Sequence, residues 1–276
     1  MRTIAVINAK GGCGKSAIAV NVAAALGERG LRTLLVDLDP QGSASDWLGA
    51  GPTGERDLFD AFVGTRELAT LAAPSRAPLV DLVAASSWLV TAERTLQVDL
   101  AIGAIRAMER LPEEWDVVLV DCPPTLGYLA TAALCGVGEA LLPTEAHGLG
   151  LSGVDAVLDE IDRIHVRLNP GLVVTGIVIS RLSRTNHARE SVASLRSVHG
   201  ELLFEATVRD SIRVPEAAHA GLPVILNTPA APVAGDVRAV AEELIGRDPR
   251  GRAAAPDETS SRGLRGFVDR LVGARS

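Results

Sequence analysis

Apolar residues follow two patterns along the chain, short continuous runs and longer amphipathic stretches. The continuous runs predict strands at residues 3–8, 33–39, 79–85, 116–122, 139–144 and 171–180. Strands that are apolar at successive positions are buried on both faces, as in a parallel sheet. The stretches between them predict helices at Ser16–Glu28, Thr91–Arg110, Leu126–Cys135, Ser152–Arg167 and Asn186–Gly200. This alternation predicts an α/β fold with a doubly wound, mostly parallel sheet.

The same patterns predict one large domain over residues 1–246, followed by a tail. Residues 247–261 are polar and rich in Pro, Gly, Ser and Arg, which is typical of a linker. Residues 262–276 place Leu264, Phe267, Val268, Leu271 and Val272 at helical spacing among arginines. This spacing predicts a short basic amphipathic C-terminal segment.

Composition and charge narrow the class of protein. Hydrophobic residues make up 47% of the chain, which is typical of a globular protein. The formal net charge of −7 excludes a surface coated in positive charge, so any nucleic-acid binding requires a local basic patch. The three cysteines are odd in number, the N-terminus runs directly into a strand, and no apolar run is long enough to span a bilayer. We therefore expect a cytoplasmic protein.

The glycine-rich stretch "GGCGKS" at residues 11–16 lies between a predicted strand and a predicted helix. Glycines in this position let backbone N–H groups wrap around phosphate oxygens, and the helix N-terminus adds partial positive charge. Lys15 is expected to reach the β- and γ-phosphates, and the Ser16 hydroxyl to ligate Mg²⁺. The general motif G-x-x-x-x-G-K-[ST] is missed by one residue, because Ala9 stands at its first glycine.

Lysine is restricted to this stretch. Of the 27 lysine and arginine residues, only Lys10 and Lys15 are lysines. A lysine offers a phosphate a compact point charge, whereas arginine offers a planar fork. Residues 10–16 fit the deviant phosphate-loop pattern KGGxGK[ST] in full, with Lys10 as its early lysine.

This pattern resembles that of the ParA/MinD family of ATPases, in which the early lysine is a signature. The resemblance implies a P-loop NTPase of the deviant Walker A type, with ATP and Mg²⁺ as cofactors and an ATP-dependent homodimer. It also implies that Lys10 crosses to the partner's phosphates while Lys15 acts within its own subunit. The residues expected to contact nucleotide are Lys10, Gly11, Gly12, Cys13, Gly14, Lys15, Ser16 and Ala17. Ala17 stands where relatives often carry a second hydroxyl.

Two acidic motifs agree with the resemblance. Asp39 lies in "LLVDLDPQGSAS" and Asp121 in "VVLVDCPPTLG", each at the end of a predicted strand. The carboxyl ends of parallel strands form the edge at which α/β proteins bind ligands. The resemblance implies that Asp39 orients the attacking water, which makes Lys10, Lys15 and Asp39 the catalytic set. It also implies that Ser16, Asp39 and Asp121 form the metal site.

The segments "SRTN" (183–186) and "VRDSIRVPEA" (208–217) resemble the ParA/Soj branch, which segregates DNA or positions cargo. Arg184 and Arg213 fall where family members carry arginines for DNA binding without sequence specificity. Residues 161–215 also hold eight arginines against five carboxylates, a local basic footprint in an acidic protein. The resemblance further implies nucleoid association and an activating partner protein of the ParB type.

Two alternatives remain from the residues themselves. The first is a MinD-like ATPase that acts on a membrane surface through residues 262–276, although docking of this segment on the protein's own surface or on a partner is favoured. The second is the iron protein of nitrogenase-like reductases, which needs cysteines that bridge an iron–sulfur cluster across a dimer. Cys122 and Cys135 are separated by one short predicted helix, which fits that class poorly.

Overall fold

A computed structural model of the protein describes residues 1–51, 53–55, 57–95, 98–146 and 150–247. Apart from Arg247, the predicted linker at 247–261 and the predicted C-terminal segment at 262–276 lie outside the described residues. The domain boundary after residue 246 therefore stays a prediction.

The described residues form one seven-stranded sheet with the order β3-β4-β2-β5-β1-β6-β7. All neighbouring strands pair in parallel except the short edge strand β3, which is antiparallel to β4. The predicted doubly wound, mostly parallel sheet is therefore confirmed. Its strands are β1 (Arg2–Val6), β2 (Thr33–Asp37), β3 (Ala73–Pro74), β4 (Val80–Val83), β5 (Val117–Asp121), β6 (Glu139–Glu145) and β7 (Val173–Ser180).

Helices connect the strands and cover both faces of the sheet. The helices of the first half are α1 (Lys15–Glu28), α2 (Ser43–Trp47), α3 (Asp57–Phe62), α4 (Leu89–Thr95), α5 (Val98–Glu109) and α6 (Tyr128–Gly136). Those of the second half are α7 (Gly150–Arg167), α8 (Asn186–His199), α9 (Arg213–His219), α10 (Val224–Asn227) and α11 (Pro232–Gly246).

The sheet separates two apolar layers, because successive strand residues point to opposite faces. In β1 and the residue after it, Ala5 and Ile7 pack into the layer that holds α5 and α6. Ile4 and Val6 pack into the layer that holds α1 and α11. Strands buried on both faces explain why the sequence shows continuous apolar runs rather than alternation.

Most element ends lie within two residues of the sequence predictions, and two elements differ more clearly. The helix predicted at Thr91–Arg110 is two helices, α4 and α5, and residues 96–97 between them lie outside the described residues. The strand predicted at 33–39 ends at Asp37, because the chain turns at Asp39, whose carbonyl accepts a hydrogen bond from Gly42 N at 2.8 Å. In the described ranges, the sequence predictions did not include the edge strand β3 or the helices α2, α3, α9, α10 and α11. None of the helices in the described ranges combines the length and apolar character needed to cross a bilayer.

Two helical glycines provide a matched test of the packing. A Cβ atom at Gly103 in α5 would lie 2.0 Å from the Phe62 carbonyl oxygen, whereas a Cβ at Gly235 in α11 would meet nothing within 4 Å. We expect Gly103→Ala to lower the free energy of unfolding by about 1–3 kcal/mol, because α3 must move away. Gly235→Ala should raise it by about 0.5–1 kcal/mol through helix propensity. Denaturant unfolding measures both, and equal effects would contradict the close contact of α3 with α5.

Candidate nucleotide-binding site

The register of the sheet brings the ends of three strands together. Val6 at the end of β1 pairs with Asp121 at the end of β5, and Asp121 pairs on its other side with Asp37 at the end of β2. The glycine-rich loop leaves β1 at this same edge and leads into α1. The predicted convergence of the loop and the acidic motifs on one edge is therefore what the structure shows.

The loop backbone adopts a conformation that requires glycine at two positions. Gly12 has φ 77° and Gly14 has φ 86°, both in the left-handed region that side chains other than glycine rarely occupy. Gly14 is also the residue from which α1 starts, and a Cβ there would lie 3.2 Å from Ser180 Oγ. These glycines allow the chain to turn tightly around a small anion-sized concavity.

Side-chain donors form hydrogen bonds with carbonyl groups of the loop, whereas most of its N–H groups lack an acceptor among the described residues. Within the described part of the chain, the N–H groups of Gly11, Gly12 and Gly14 have no hydrogen-bond acceptor. Three donors bind the carbonyls: Lys15 Nζ to Lys10 O at 3.2 Å, Arg181 to Gly12 O at 3.3 Å, and Ser180 Oγ to Cys13 O. A run of free N–H groups at a helix N-terminus is the arrangement that binds phosphate.

Lys15 begins α1 and is 6% exposed. A buried ammonium group is costly unless it is paired, and the neutral Lys10 carbonyl is a weak partner for it. The site therefore favours an anion next to Lys15, and a phosphate in this place stays a prediction.

Lys10 points instead to a carboxylate of its own subunit. Its Nζ lies 3.1 Å from Glu145 Oε2 at the end of β6. Its backbone N–H donates to Asn8 Oδ1 at 2.9 Å, and Asn8 Nδ2 donates to the Pro143 carbonyl at 2.7 Å. The sequence analysis missed Asn8 and Glu145, and the contacts that reveal them join residues 135 positions apart in the chain.

Asp121 is buried, and neither of its carboxylate oxygens receives an aligned hydrogen bond from the described residues. Burial raises the pKa of Asp121 well above 3.8, and the nearby Asp37 carboxylate raises it further. The Ser16 hydroxyl and the Lys15 ammonium lower the pKa of Asp121 less strongly. The Ser16 hydroxyl is thus near this carboxylate without being aligned as its donor. An unpaired buried carboxylate beside a hydroxyl suits a hard cation such as Mg²⁺.

Asp37 is a further site residue that the sequence analysis missed. Burial raises the pKa of this carboxyl group to about 6. Hydrogen bonds from the Ser45 hydroxyl and backbone N–H, at 2.7 and 2.8 Å, and from Asp39 N, at 3.2 Å, oppose that rise. The available signal was the D-x-D spacing, in which only Asp37 still belongs to the strand and shares its burial.

Asp39 lies in the loop after β2 and is 8% exposed. Its Oδ1 accepts a hydrogen bond from Gln41 N at 2.9 Å. The predicted metal and catalytic carboxylates Asp39 and Asp121 therefore share one edge. Asp37, which pairs with Asp121 in the sheet, precedes Asp39 by two residues.

A groove of about 380 Å³ opens beside the loop. Its wall runs from the loop along one side of α1 and continues over the residues that precede and begin α9. Lining residues include Gly14, Ala17, Asn21, Arg181, Asp210 and Pro215. The groove has the size of a small-molecule site, and Ala17 presents a methyl group to it rather than a hydroxyl.

The three cysteines are buried and unpaired: Cys13, Cys122 and Cys135. Burial raises the pKa of each thiol, to about 12 for Cys135. Thiols in such surroundings are inert apolar filler.

The two arginines predicted to bind DNA lie on segments that the fold joins. Leu182 N donates to the Val208 carbonyl at 2.9 Å, and Asp210 N donates to the Leu182 carbonyl at 3.0 Å. These bonds place the segment that carries Arg184 beside the segment that leads to Arg213. Both segments continue from the edge at which the glycine-rich loop lies.

Ion pairs divide the eight arginines of residues 161–215 into two groups. Five pair with carboxylates, namely Arg163, Arg181, Arg196, Arg209 and Arg213. Arg213 pairs with Glu216 at 2.7 Å, with both side chains about half exposed. The other three have no ion pair with a described residue, namely Arg167, Arg184 and Arg189. Exposed pairs are weak, so that of Arg213 is easily exchanged for another anion.

Comparison with known proteins shows which family the chain resembles. A family model described as an AAA domain matches residues 1–174. The chromosome partitioning protein ParA of Caulobacter vibrioides is 34% identical over 236 residues, or 82% of this chain and 87% of that protein. Cobyrinic acid a,c-diamide synthase of Mycobacterium smegmatis, solved with ADP and magnesium, has a TM-score of 0.77 at 28% identity and covers 88% and 94% of the two chains. The cell division ATPase MinD of Pyrococcus furiosus, with a TM-score of 0.74 at 24% identity over 89% and 98%, supports the fold alone.

The parallel sheet and its glycine-rich loop define a P-loop nucleotide-binding fold. The family model covers more than half of the chain, and the Caulobacter relative aligns over most of its length. The chain belongs to the ParA/MinD family of ATPases. The family resemblance noted in the sequence is therefore confirmed, whereas the roles of individual residues are proposals.

If the Asp121 carboxylate is unpaired, replacing it should stabilise the nucleotide-free protein and weaken its response to Mg-ATP. Because its pKa in the folded protein is raised, ionisation of Asp121 costs stability as the pH rises above 3.8. We expect Asp121→Asn to raise the melting temperature of the nucleotide-free protein at pH 7.5 by about 2–4 °C or more, which corresponds to about 1 kcal/mol in a domain of this size. The gain should shrink as the pH falls towards 4.5, and the stabilisation of the protein by Mg-ATP should be reduced.

The matched control is Asp116→Asn, an exposed change at the other end of the same strand, where a side-chain oxygen still accepts from Arg32 N. It should leave both the melting temperature and the effect of Mg-ATP unchanged. Thermal scans of the two variants with and without Mg-ATP make the comparison. A lower melting temperature for Asp121→Asn at pH 7.5 would contradict an unpaired buried carboxylate.

Proposed function

We propose that this protein is an ATP-dependent dimerising switch. It binds ATP and Mg²⁺, hydrolyses the ATP, and in its ATP-bound dimer binds DNA without sequence preference in order to partition DNA or position a cargo. The observation that carries the proposal is the glycine-rich loop, whose free N–H groups and buried Lys15 converge at the sheet edge. The ADP and magnesium bound to the mycobacterial neighbour support the choice of ligands.

The nucleotide binds first within one subunit. The N–H groups of residues 11–14 and the N-terminus of α1 receive the phosphate oxygens, and Lys15 exchanges the Lys10 carbonyl for the β- and γ-phosphates. The groove beside Gly14 and Ala17 takes the nucleoside. Ala17 supplies no hydroxyl to the α-phosphate, so the backbone must hold that group.

The unpaired Asp121 oxygens and the nearby Ser16 hydroxyl fit a hard divalent cation. Ser16 and Asp121 would hold Mg²⁺, with Asp39 close enough along the edge to contribute through water. When bound, Mg²⁺ neutralises the charge that develops on the phosphate oxygens. Asp39 orients the attacking water, since its position after β2 is less enclosed than that of Asp37.

Lys10 acts across the dimer. Its side chain is one third exposed, at the rim of the loop, so it can reach beyond its own subunit. In the partner's site it contributes a positive charge to the transferring phosphoryl group, as an arginine finger does. Dimerisation and hydrolysis then depend on the same residue, and a partner protein of the ParB type would raise a slow intrinsic rate.

Sequence-independent DNA binding rests on Arg184 and Arg213. The bonds between Leu182 and the Val208–Asp210 segment bring both arginines to one region, and Arg184 has no ion pair with a described residue. Arginines that face phosphates release counterions and read no bases. Nucleoid association follows from this property, and the 34% identical chromosome partitioning relative supports it.

The two lysines give the first test of this function. Lys15→Ala removes a charge-assisted contact within the subunit and should weaken ATP binding by about 10- to 100-fold. Lys10→Ala should bind ATP within about threefold of the parent but form no ATP-dependent dimer, and its hydrolysis rate should fall by about 10³-fold. Calorimetry, light scattering and phosphate release measure the three properties. Normal dimers and parent-like hydrolysis in Lys10→Ala would rule out the dimer mechanism.

The second test concerns DNA. Arg184→Ala and Arg213→Ala should each weaken ATP-dependent binding to unrelated duplexes equally, and lower the log–log salt slope by about 0.9 for each phosphate that the variant no longer neutralises. ATP binding and dimerisation should be retained. Arg163→Ala is the matched control, because Arg163 is an exposed arginine with an i,i+3 ion pair like that of Arg213, but it lies on α7 outside the two joined segments. Parent-like DNA affinity in the double variant, or equal binding with ADP and ATP, would contradict the assignment.

A further inference from the structure

Glu145 holds two cations at the rim of the nucleotide site. One carboxylate oxygen, Oε2, lies 3.1 Å from Lys10 Nζ, and the other, Oε1, lies 3.0 Å from an Arg181 nitrogen. The Glu145 side chain is 12% exposed, so both contacts are partly shielded from water. The proposed function assigns Lys10 to the partner's nucleotide. The contact with Glu145 therefore competes with that use of Lys10.

The backbone of Lys10 is held in place by its neighbours. Only the Lys10 side chain can therefore move from Glu145 to another anion. Asn8 accepts from Lys10 N at 2.9 Å. A Cβ atom at Gly153 of α7 would lie 3.0 Å from Asn8 Oδ1 and 3.7 Å from Lys10 Cβ, so α7 packs directly against this part of the loop. The ammonium group thus changes partner by rotation of its own side chain.

Arg181 holds Glu145 from the other side. It has φ 51°, a left-handed conformation that is uncommon for a residue other than glycine, and it also donates to the Gly12 carbonyl at 3.3 Å. A residue kept in this conformation is over-determined by its surroundings. The Arg181 guanidinium thus gives the Glu145 carboxylate a second cation on the side away from Lys10.

We propose that Glu145 is a positioning residue that holds Lys10 within its own subunit until an ATP-bound partner presents its phosphates. This proposal rests on the proposed function and adds its regulation. The Lys10–Glu145 contact must break when Lys10 crosses the dimer interface, so its free energy is subtracted from that of dimerisation. A symmetric dimer breaks two such contacts. Glu145 thereby raises the protein concentration at which the ATP-bound dimer forms.

The size of the effect follows from the exposure of the pair. Loss of one partly exposed ion pair changes an equilibrium constant by about 1.5- to 5-fold. Because two pairs break for each dimer, the dimerisation constant should change by about 2- to 30-fold. Glu145→Gln keeps the shape of the side chain and removes its charge, so it should strengthen the ATP-bound dimer by this factor.

The experiment is sedimentation equilibrium of the full chain with saturating Mg²⁺ and a non-hydrolysable ATP analogue, which removes any effect on nucleotide affinity within the subunit. Glu160→Gln is the matched control, because Glu160 also loses one carboxylate charge from a 3.1 Å pair with an arginine, Arg163, and lies on α7 outside the nucleotide site. Glu145→Gln should strengthen the dimer, and Glu160→Gln should leave it as in the parent. Equal strengthening by both variants would show a general charge effect and overturn the proposal. No change, or weakening, in Glu145→Gln would overturn it too.

A second measurement uses the scarcity of lysine. A chain labelled with isotopic lysine gives signals from Lys10 and Lys15 alone. In nucleotide-free protein, Glu145→Gln should shift the side-chain signal of Lys10 and leave that of Lys15 in place. An unchanged Lys10 signal would overturn the proposal even if the variant were unstable as a dimer.

The outcomes of the sedimentation experiment separate this inference from the proposed function. A parent that forms no dimer with the ATP analogue would overturn the proposed function as well. A normal parent dimer with an unaffected Glu145→Gln variant overturns this inference alone.

Discussion

The site depends on one constraint, which is that the loop after β1 must keep its N–H groups free while its carbonyls are bound. Backbone polar groups that lack partners are costly in a folded protein, so such a loop needs donors from elsewhere for its carbonyls. Ser180 and Arg181 supply two of them from the end of β7, and Lys15 supplies the third from the start of α1. Asn8 ties the start of the loop to β6 through the Pro143 carbonyl. Three strands therefore cooperate to leave a row of donors unsatisfied until an anion binds.

The residues that suit the site to nucleotide binding also destabilise the nucleotide-free protein. Lys15 is a buried ammonium group, Asp121 is a buried carboxylate without an aligned donor, and Arg181 occupies a left-handed conformation. Each feature costs free energy in the nucleotide-free protein. Destabilising features of this kind are expected at functional sites. The fold tolerates them because the sheet and its two apolar layers stabilise the rest of the domain.

Much of this arrangement could be predicted from the sequence. Strands buried on both faces are recognisable as continuous apolar runs, and the loop from Lys10 to Ser16 carries its own pattern of glycine and lysine. Glu145, Arg181 and Asn8 could not be found in this way, because each acts through a contact with a residue 135 or more positions away. Asp37 was missed for a different reason. Its role depends on burial and on the Asp121 side chain in the neighbouring strand, and sequence spacing shows neither.

The end of β7 connects the two halves of the proposed function. Ser180 and Arg181 bind carbonyls of the phosphate loop, and Leu182, the next residue, pairs with the segment that leads to Arg213. Arg184 follows two residues later. In a packed domain, a displacement at one end of such a short segment is transmitted to the other, because the intervening residues have little room to absorb it. Under the proposed function, nucleotide binding rearranges the partners of the Gly12 carbonyl and Glu145, and both are partners of Arg181. The residues proposed to bind DNA therefore lie within a few residues of the contacts that ATP must change, and no additional domain is needed to link the two events.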